Sequence, residues 1–162
     1  MHGVGATGYS REMSTTNRTI AATPDQVWAV LADGWLYPLF VVGAARMREV
    51  DDTWPAVGAR LHHSVGSWPL MIDDTTEVLE VDEGERLLLL ARGWPAGQAH
   101  VEISLQPRGA GTVVTMKEQA TAGPGALVPK AVQDPQLHLR NVEALRRLAF
   151  LVEGLAKEGR LP

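Results

Sequence analysis

The chain has 162 residues, 45% of them hydrophobic and 21% charged, which is one globular domain's worth, able to bury roughly 70% of the surface its unfolded form exposes, and excludes a disordered, fibrous or collagen-like chain. Lys and Arg number 15 against 19 Asp and Glu, a formal net charge of -4 with no basic block, so wholesale neutralisation of nucleic-acid phosphates is not expected. The absence of cysteine removes disulfides, thiolate metal sites, iron–sulfur clusters and a cysteine nucleophile.

The first dozen residues, MHGVGATGYSRE, lack the charged start and apolar core of a signal peptide and read as part of a flexible tail over residues 1–13. Met13 is equally open as the true start. No apolar run approaches the ~18 to 20 residues of a membrane span, and cytoplasm is the expected compartment. Residues 14–22 mix β-branched and polar side chains in rough alternation, as in a half-buried strand. Thr23, Pro24, Asp25 and Gln26 then supply an N-cap, a first-turn proline, a first-turn acid and a capping-box partner. Val27, Trp28, Val30 and Leu31 give this helix one apolar face, and Asp33-Gly34 stops it. Residues 35–42, interrupted by Pro38, suit one or two further helical turns.

Residues 44–122 read as six strands separated by turn signals such as Asp51-Asp52, Glu83-Gly84 and the segment from Arg108 to Gly111. The clearest strand is 99–106, where Ala99, Val101, Ile103 and Leu105 alternate with His100, Glu102, Ser104 and Gln106. The closing helix is expected over 135–158, with Leu137, Leu145, Leu148, Val152 and Leu155 on one stripe. His138 and Asn141 fall on its buried side near the N-terminal end, while Arg140, Glu143, Arg146, Arg147, Glu153 and Lys157 point outward. Phe150 and Leu139 lie off the stripe and suggest at most a weak dimer contact. The expected order is β-α-α-β-β-β-β-β-β-α, an α+β domain over 14–162.

This order, with TIAATPDQVWAVLAD, TEVLEVDEGERLLL and GTVVTMKE before a long helix, resembles the START-like SRPBCC superfamily, and within it the polyketide cyclase/dehydrase branch. The resemblance covers residues 15–158 and rests on several segments, with no single catalytic signature. It implies a helix-grip fold: a curved antiparallel sheet of about seven strands wrapped around the C-terminal helix, two short helices after the first strand, and a cavity between them. It also implies a lipid, sterol, aromatic polyketide or hormone as ligand, and for some members an enzyme activity.

Four aromatic–proline pairs, Tyr37-Pro38, Trp54-Pro55, Trp68-Pro69 and Trp94-Pro95, belong at strand ends and loops. Their rings either plug the ends of the sheet or line a mouth. Trp35, Trp68 and Trp94 are the expected entrance residues. Adjacent residues on a strand face opposite ways, so His62 and His63 cannot chelate one ion, and with Leu61 and Val65 inward His63 faces the cavity. His2, His100 and His138 give no metal-binding spacing, so no metal or other cofactor is expected. Glu118 shares the parity of Val114 and Met116, and Glu77 that of Leu79 and Val81. Each is either a pocket carboxylate able to act as an acid or base, or a strand-end acid paired with a cation. His138 and Asn141 are open between core hydrogen bonding and ligand contact. Arg92 is a candidate cationic anchor for an acidic ligand, although the LLLL run preceding it leaves its face undecided. The Gly-rich stretches at 109–111 and 123–125 match no phosphate loop, and no GxSxG elbow occurs.

These residues point to a protein that binds a small, largely apolar or aromatic molecule against Trp35, His63, Trp68, Trp94, Met116, Glu118, His138 and Asn141. An enzyme of the cyclase, aromatase or dehydratase type is the alternative, with His63, Glu118 and His138 as candidate acid–base groups. A protein-interaction module of the co-chaperone kind, with a vestigial cavity, is the third. A monomer or weak homodimer, with no nucleic acid and no membrane span, is expected in each case.

Overall fold

The first helix starts where its cap does. Thr23 is extended, its Oγ1 accepts from the Gln26 backbone N–H at 3.3 Å and its own N–H donates to Gln26 Oε1 at 3.1 Å. Two otherwise orphaned donors are thereby satisfied reciprocally. The computed structural model of the protein describes residues 13–93 and 97–162. Residues 1–12 of the expected tail, and Trp94, therefore lie outside the described residues.

Strand β1 (Ser14–Ile20) leads into α1 (Pro24–Leu31), a 3-10 turn (Gly34–Leu36) and the single-turn α2 (Tyr37–Phe40). Six strands follow: β2 (Ala44–Val50), β3 (Arg60–Val65), β4 (Ile72–Asp82), β5 (Arg86–Gly93), β6 (Gly97–Arg108) and β7 (Gly111–Ala122). A 3-10 turn (Pro124–Leu127) then joins the sheet to α3 (Lys130–Lys157). All pairings are antiparallel, in the order β1-β7-β6-β5-β4-β3-β2. Because β1 and β2 are the two edges, the segment carrying α1 and α2 crosses the whole width of the sheet. This is the seven-stranded α+β helix-grip architecture expected from the sequence.

The inner face alternates as a half-buried sheet must. Leu87 and Leu89 of β5, Ile103 and Leu105 of β6, and Val114 and Met116 of β7 are buried against α1 and α3. Gly34 is buried because the turn between α1 and α2 lies directly on the sheet. A Cβ there would sit 2.5 Å from Leu61 Cδ2 and 2.8 Å from a Val50 methyl.

Two boundaries differ from the sequence reading. Helix α3 begins at Lys130, five residues earlier than expected, and carries Pro135 inside it. Proline there leaves only the Ala131 carbonyl without its intrahelical donor, and because Ala131 and Pro135 are both exposed that carbonyl faces solvent at little cost and the helix continues. In β4 a bulge between Val78 and Glu80 resets the alternation. Thr76 and Val78 are the buried pair, and Glu77 instead points outward to Arg60, Nε to Oε2 3.1 Å.

Two substitutions test these local claims. Thr23→Ala removes both cap bonds and is expected to cost about 1 kcal/mol. Gly34→Ala forces a methyl against Leu61 and Val50 and is expected to cost about 1 to 3 kcal/mol. Urea unfolding followed by tryptophan fluorescence reads both, and a wild-type midpoint in either variant contradicts the corresponding contact.

Candidate functional site

Between the inner face of the sheet and α3 lies a cavity of about 690 Å³. Its floor is Val101 and Ile103 of β6 with Met116 and Glu118 of β7, and its roof is Arg140, Asn141 and Ala144 of α3. Tyr37 of α2, His63 of β3 and Thr76 of β4 close one side, while the β3–β4 connection contributes Gly66, Pro69, Leu70 and Met71 at the rim. Leu70 is 80% exposed, so this rim is where the lining passes into the outer surface. The cavity exists because of how α3 docks: Asn141, Ala144, Leu145, Leu148, Ala149 and Val152 are buried, whereas none of residues 131–140 is.

Three buried polar side chains form a chain along the β3 side. His63 Nε2 lies 2.9 Å from Thr76 Oγ1, and the Thr76 hydroxyl also hydrogen-bonds the Tyr37 phenol. The Tyr37 ring stacks on the imidazole at 6.4 Å between centroids and meets Phe40 edge-on at 5.4 Å. Burial pushes the Tyr37 phenol up to about 12, partly offset by the Thr76 hydroxyl, so it stays protonated. Burial also holds His63 below the usual imidazole value, with Asp74 opposing and Arg48 and His62 reinforcing the shift. The imidazole is thus neutral at pH 7, and its Nδ1 has no hydrogen-bond partner among the described residues.

On the opposite wall Glu118, 2% exposed, is ion-paired to the Arg140 guanidinium. Beside them Asn141 is equally buried, and its Nδ2 is the second unpartnered buried atom of the molecule's described residues. Both unpaired nitrogens belong to residues that line the cavity.

His63, Met116, Glu118 and Asn141 therefore lie together on the cavity, and the other sequence candidates do not join them. His138 is exposed and turns to the edge strand β1, its Nδ1 3.1 Å from Thr16 Oγ1. Trp35 and Trp68 are 57% and 86% exposed and outside the lining, although Pro69, next to Trp68, is part of it. Trp54, the remaining described tryptophan of an aromatic–proline pair, is a plug: its indole N–H donates to the Leu31 carbonyl at 3.2 Å. Arg140, expected to point outward, reaches the cavity because its long side chain bends back to Glu118. Arg92 shares the outward parity of Leu88 and Leu90, yet sits at the strand end where the cavity opens and contributes to its lining. Tyr37 and Thr76 escaped sequence reasoning. An aromatic before a proline marked the first, and nothing short of the β4 bulge marked the second. Among the described residues no three His, Asp or Glu side chains converge as a metal site, and no helix is long and apolar enough to cross a membrane.

The buried imidazole makes a pH prediction. A histidine whose folded pKa lies below its unfolded value of about 6.5 contributes stability above that value and loses it as pH falls toward the folded pKa. Unfolding free energy should therefore decline with acid below about pH 6.5, and His63→Gln should flatten the decline. Urea midpoints between pH 7 and 5 check this, and parallel curves for the two proteins would remove His63 as the cause.

Residues 12–153 match the family described as polyketide cyclase/dehydrase and lipid transport. No curated protein matches the chain significantly. Among solved structures, a protein of Rhodobacter sphaeroides is 26% identical, with 87% of this chain and 91% of that one covered and a TM-score of 0.67. A protein of Nitrosomonas europaea is 20% identical over 90% and 94% of the two chains, TM-score 0.67. The di-domain ARO/CYC StfQ from the steffimycin biosynthetic pathway is 12% identical, and the match covers 90% of this chain and 52% of that one, TM-score 0.67. The last two likenesses speak for the fold alone, but the family match extends over most of the sequence: the chain belongs to the polyketide cyclase/dehydrase and lipid transport family.

Proposed function

We propose that the chain binds one small, largely apolar or aromatic molecule in the cavity under α3, as a carrier or sensor of that molecule. The observation that carries this reading is the cavity itself. Its volume of about 690 Å³ lies within the range of about 300 to 1,000 Å³ typical of small-molecule sites, and its lining is aliphatic with a few converging polar groups, the usual composition of such sites. An interaction module with a filled interior would have no use for this space. The family to which the chain belongs, described by cyclisation, dehydration and lipid transport, agrees with a lodged apolar ligand.

The Tyr37–Thr76–His63 chain favours a second reading, a cyclase- or dehydratase-type enzyme acting on a polyketide-like substrate. A neutral imidazole at neutral pH is able to accept a proton from an acidic C–H or O–H of a bound molecule. Such an enzyme would use the cavity to hold a flexible chain folded while His63 moves the proton.

Titration with the neutral fluorophore N-phenyl-1-naphthylamine tests the first reading. The wild type should bind one equivalent, and Val101→Trp, which places an indole in the cavity, should weaken binding by at least about tenfold, or 1.4 kcal/mol. Asn141→Leu removes a polar group at conserved volume, and should leave this neutral probe unaffected while weakening an oxygen-bearing ligand by about 0.5 to 1.5 kcal/mol. Absence of binding to the wild type, or equal binding to Val101→Trp, would contradict the proposal. The enzyme reading stands or falls on His63→Gln, which should abolish turnover of a polyketide-like substrate while leaving its binding intact.

A further inference from the structure

A second, smaller cavity of about 150 Å³ adjoins the first, beneath the ends of β5, β6 and β7 and the start of α3, with Gly97, Gln98, Ala120 and Gln133 in its lining. Ala91, Arg92, Gly93, Glu118 and Arg140 line both cavities. The Glu118–Arg140 ion pair thus stands at the junction, with the carboxylate buried and the Arg140 side chain 45% exposed. A guanidinium with that much solvent contact is able to swing outward, whereas the carboxylate is fixed in its strand.

The charges at this junction do not balance. Apart from His63 and the protonated Tyr37, both neutral, the titratable residues in the two linings are Arg92, Arg140 and Glu118, two cations against one anion in a chain whose net charge is -4. Arg92 makes no ion pair or hydrogen bond with any described residue. Elsewhere on the sheet Arg86 is held by Glu80 and Glu102, Arg60 by Glu77, and Arg48 by Asp73; Arg18, Arg46 and Arg108 lack an ion pair among the described residues as Arg92 does, but none of them lines either cavity. An unpaired arginine at the rim of an apolar cavity, beside a second arginine held by a single carboxylate, is the arrangement expected of a receptor for an anion.

Resting on the binding role proposed above, we infer that the ligand is an amphipathic acid. Its apolar body occupies the large cavity, and its carboxylate, or an equivalent anion, sits at the junction between Arg92 and Arg140. In the empty protein Glu118 takes the place of that anion on Arg140. When the ligand enters, its acid group competes with Glu118 for the guanidinium and receives Arg92 as a second partner. Glu118 accordingly sets the affinity from below: it keeps Arg140 ordered and opposes any anion that does not also engage Arg92. Neutral ligands of the same shape gain nothing from either arginine.

The test uses the full chain and displacement of N-phenyl-1-naphthylamine by a matched pair, dodecanoate and dodecan-1-ol, at pH 7.5. The inference expects the acid to bind at least about tenfold more tightly than the alcohol, the size of one charge-assisted hydrogen bond. Arg92→Gln, an exposed and unpaired position, should erase most of that preference by weakening the acid far more than the alcohol. Glu118→Gln should move the acid the other way, tightening it, because the competing carboxylate is gone. The double variant Glu118→Gln with Arg140→Gln leaves no unpaired buried charge, and should lose the preference without losing the fold, which circular dichroism confirms. Equal affinities for acid and alcohol in the wild type, or an unchanged acid affinity in both Arg92→Gln and Glu118→Gln, would overturn the inference and leave the cavity reading standing. If the fluorophore itself fails to bind, the cavity reading falls and the inference falls with it.

Discussion

Leu145, Leu148, Ala149 and Val152 hold the second half of α3 against the sheet, and the space under its first half follows from that asymmetry. Fully burying each of the larger side chains is worth about 1.5 to 3 kcal/mol, so the C-terminal half is fixed. Glu153 adds a polar latch by accepting from the Ala21 backbone N–H at 3.0 Å. The N-terminal half has no comparable stripe. Between Ala131 and Arg140 no side chain is buried, and this half of the helix is tied down by polar contacts instead: His138 to Thr16, Arg140 to Glu118 and Gln133 to the Gly125 carbonyl. Asn141 and Ala144 mark the point where it leaves the core, and they are also where it lines the cavity.

That arrangement explains why polar groups collect at one place. A residue under the docked half must be apolar, because burial there is dry and close-packed. A residue under the free half borders open space, so Glu118 tolerates burial with one arginine and Asn141 tolerates an unpartnered nitrogen. An ion pair with one partner buried and the other 45% exposed is weak as a stabilising device, since desolvation of the carboxylate and solvent screening of the guanidinium offset much of the attraction. Its position between two cavities therefore speaks more for recognition than for fold stability. Tyr37, Thr76 and His63 make the same point from the other wall, where α2 is laid over the sheet by the Gly34 turn.

Most of this fold was readable from the sequence, because its signals are local and periodic. The cap at Thr23, the alternation from Ala99 to Gln106 and the stripe from Leu145 to Val152 each name one face of one element. Strand parity likewise carried His63, Met116 and Glu118 to the inside. What the sequence hid depends on breaks in periodicity or on long side chains. The bulge between Val78 and Glu80 exchanges Glu77 for Thr76, and no residue near it announces the extra step. A helical wheel puts His138 and Asn141 on one side, but only a helix in contact along its whole length would bury both. Arg140 illustrates the second limit: its Cβ direction is outward, and its guanidinium is not. Trp35 and Trp68 were drawn toward the entrance by their type and their loops, whereas their rings are exposed and outside the lining.

The central claim is that the space between α3 and the sheet is a site for an apolar ligand. The methionines offer the most direct test, since Met116 lies on the floor of the cavity and Met71 at its rim, while the half-buried Met47 on β2 is outside the lining. Protein labelled with ¹³C at the methionine methyls should be titrated with N-phenyl-1-naphthylamine and followed by NMR. The account predicts that the Met116 and Met71 resonances move together and saturate at one equivalent while Met47 stays in place. Movement of Met47 with Met116 unmoved, or no movement at any methionine, would contradict it.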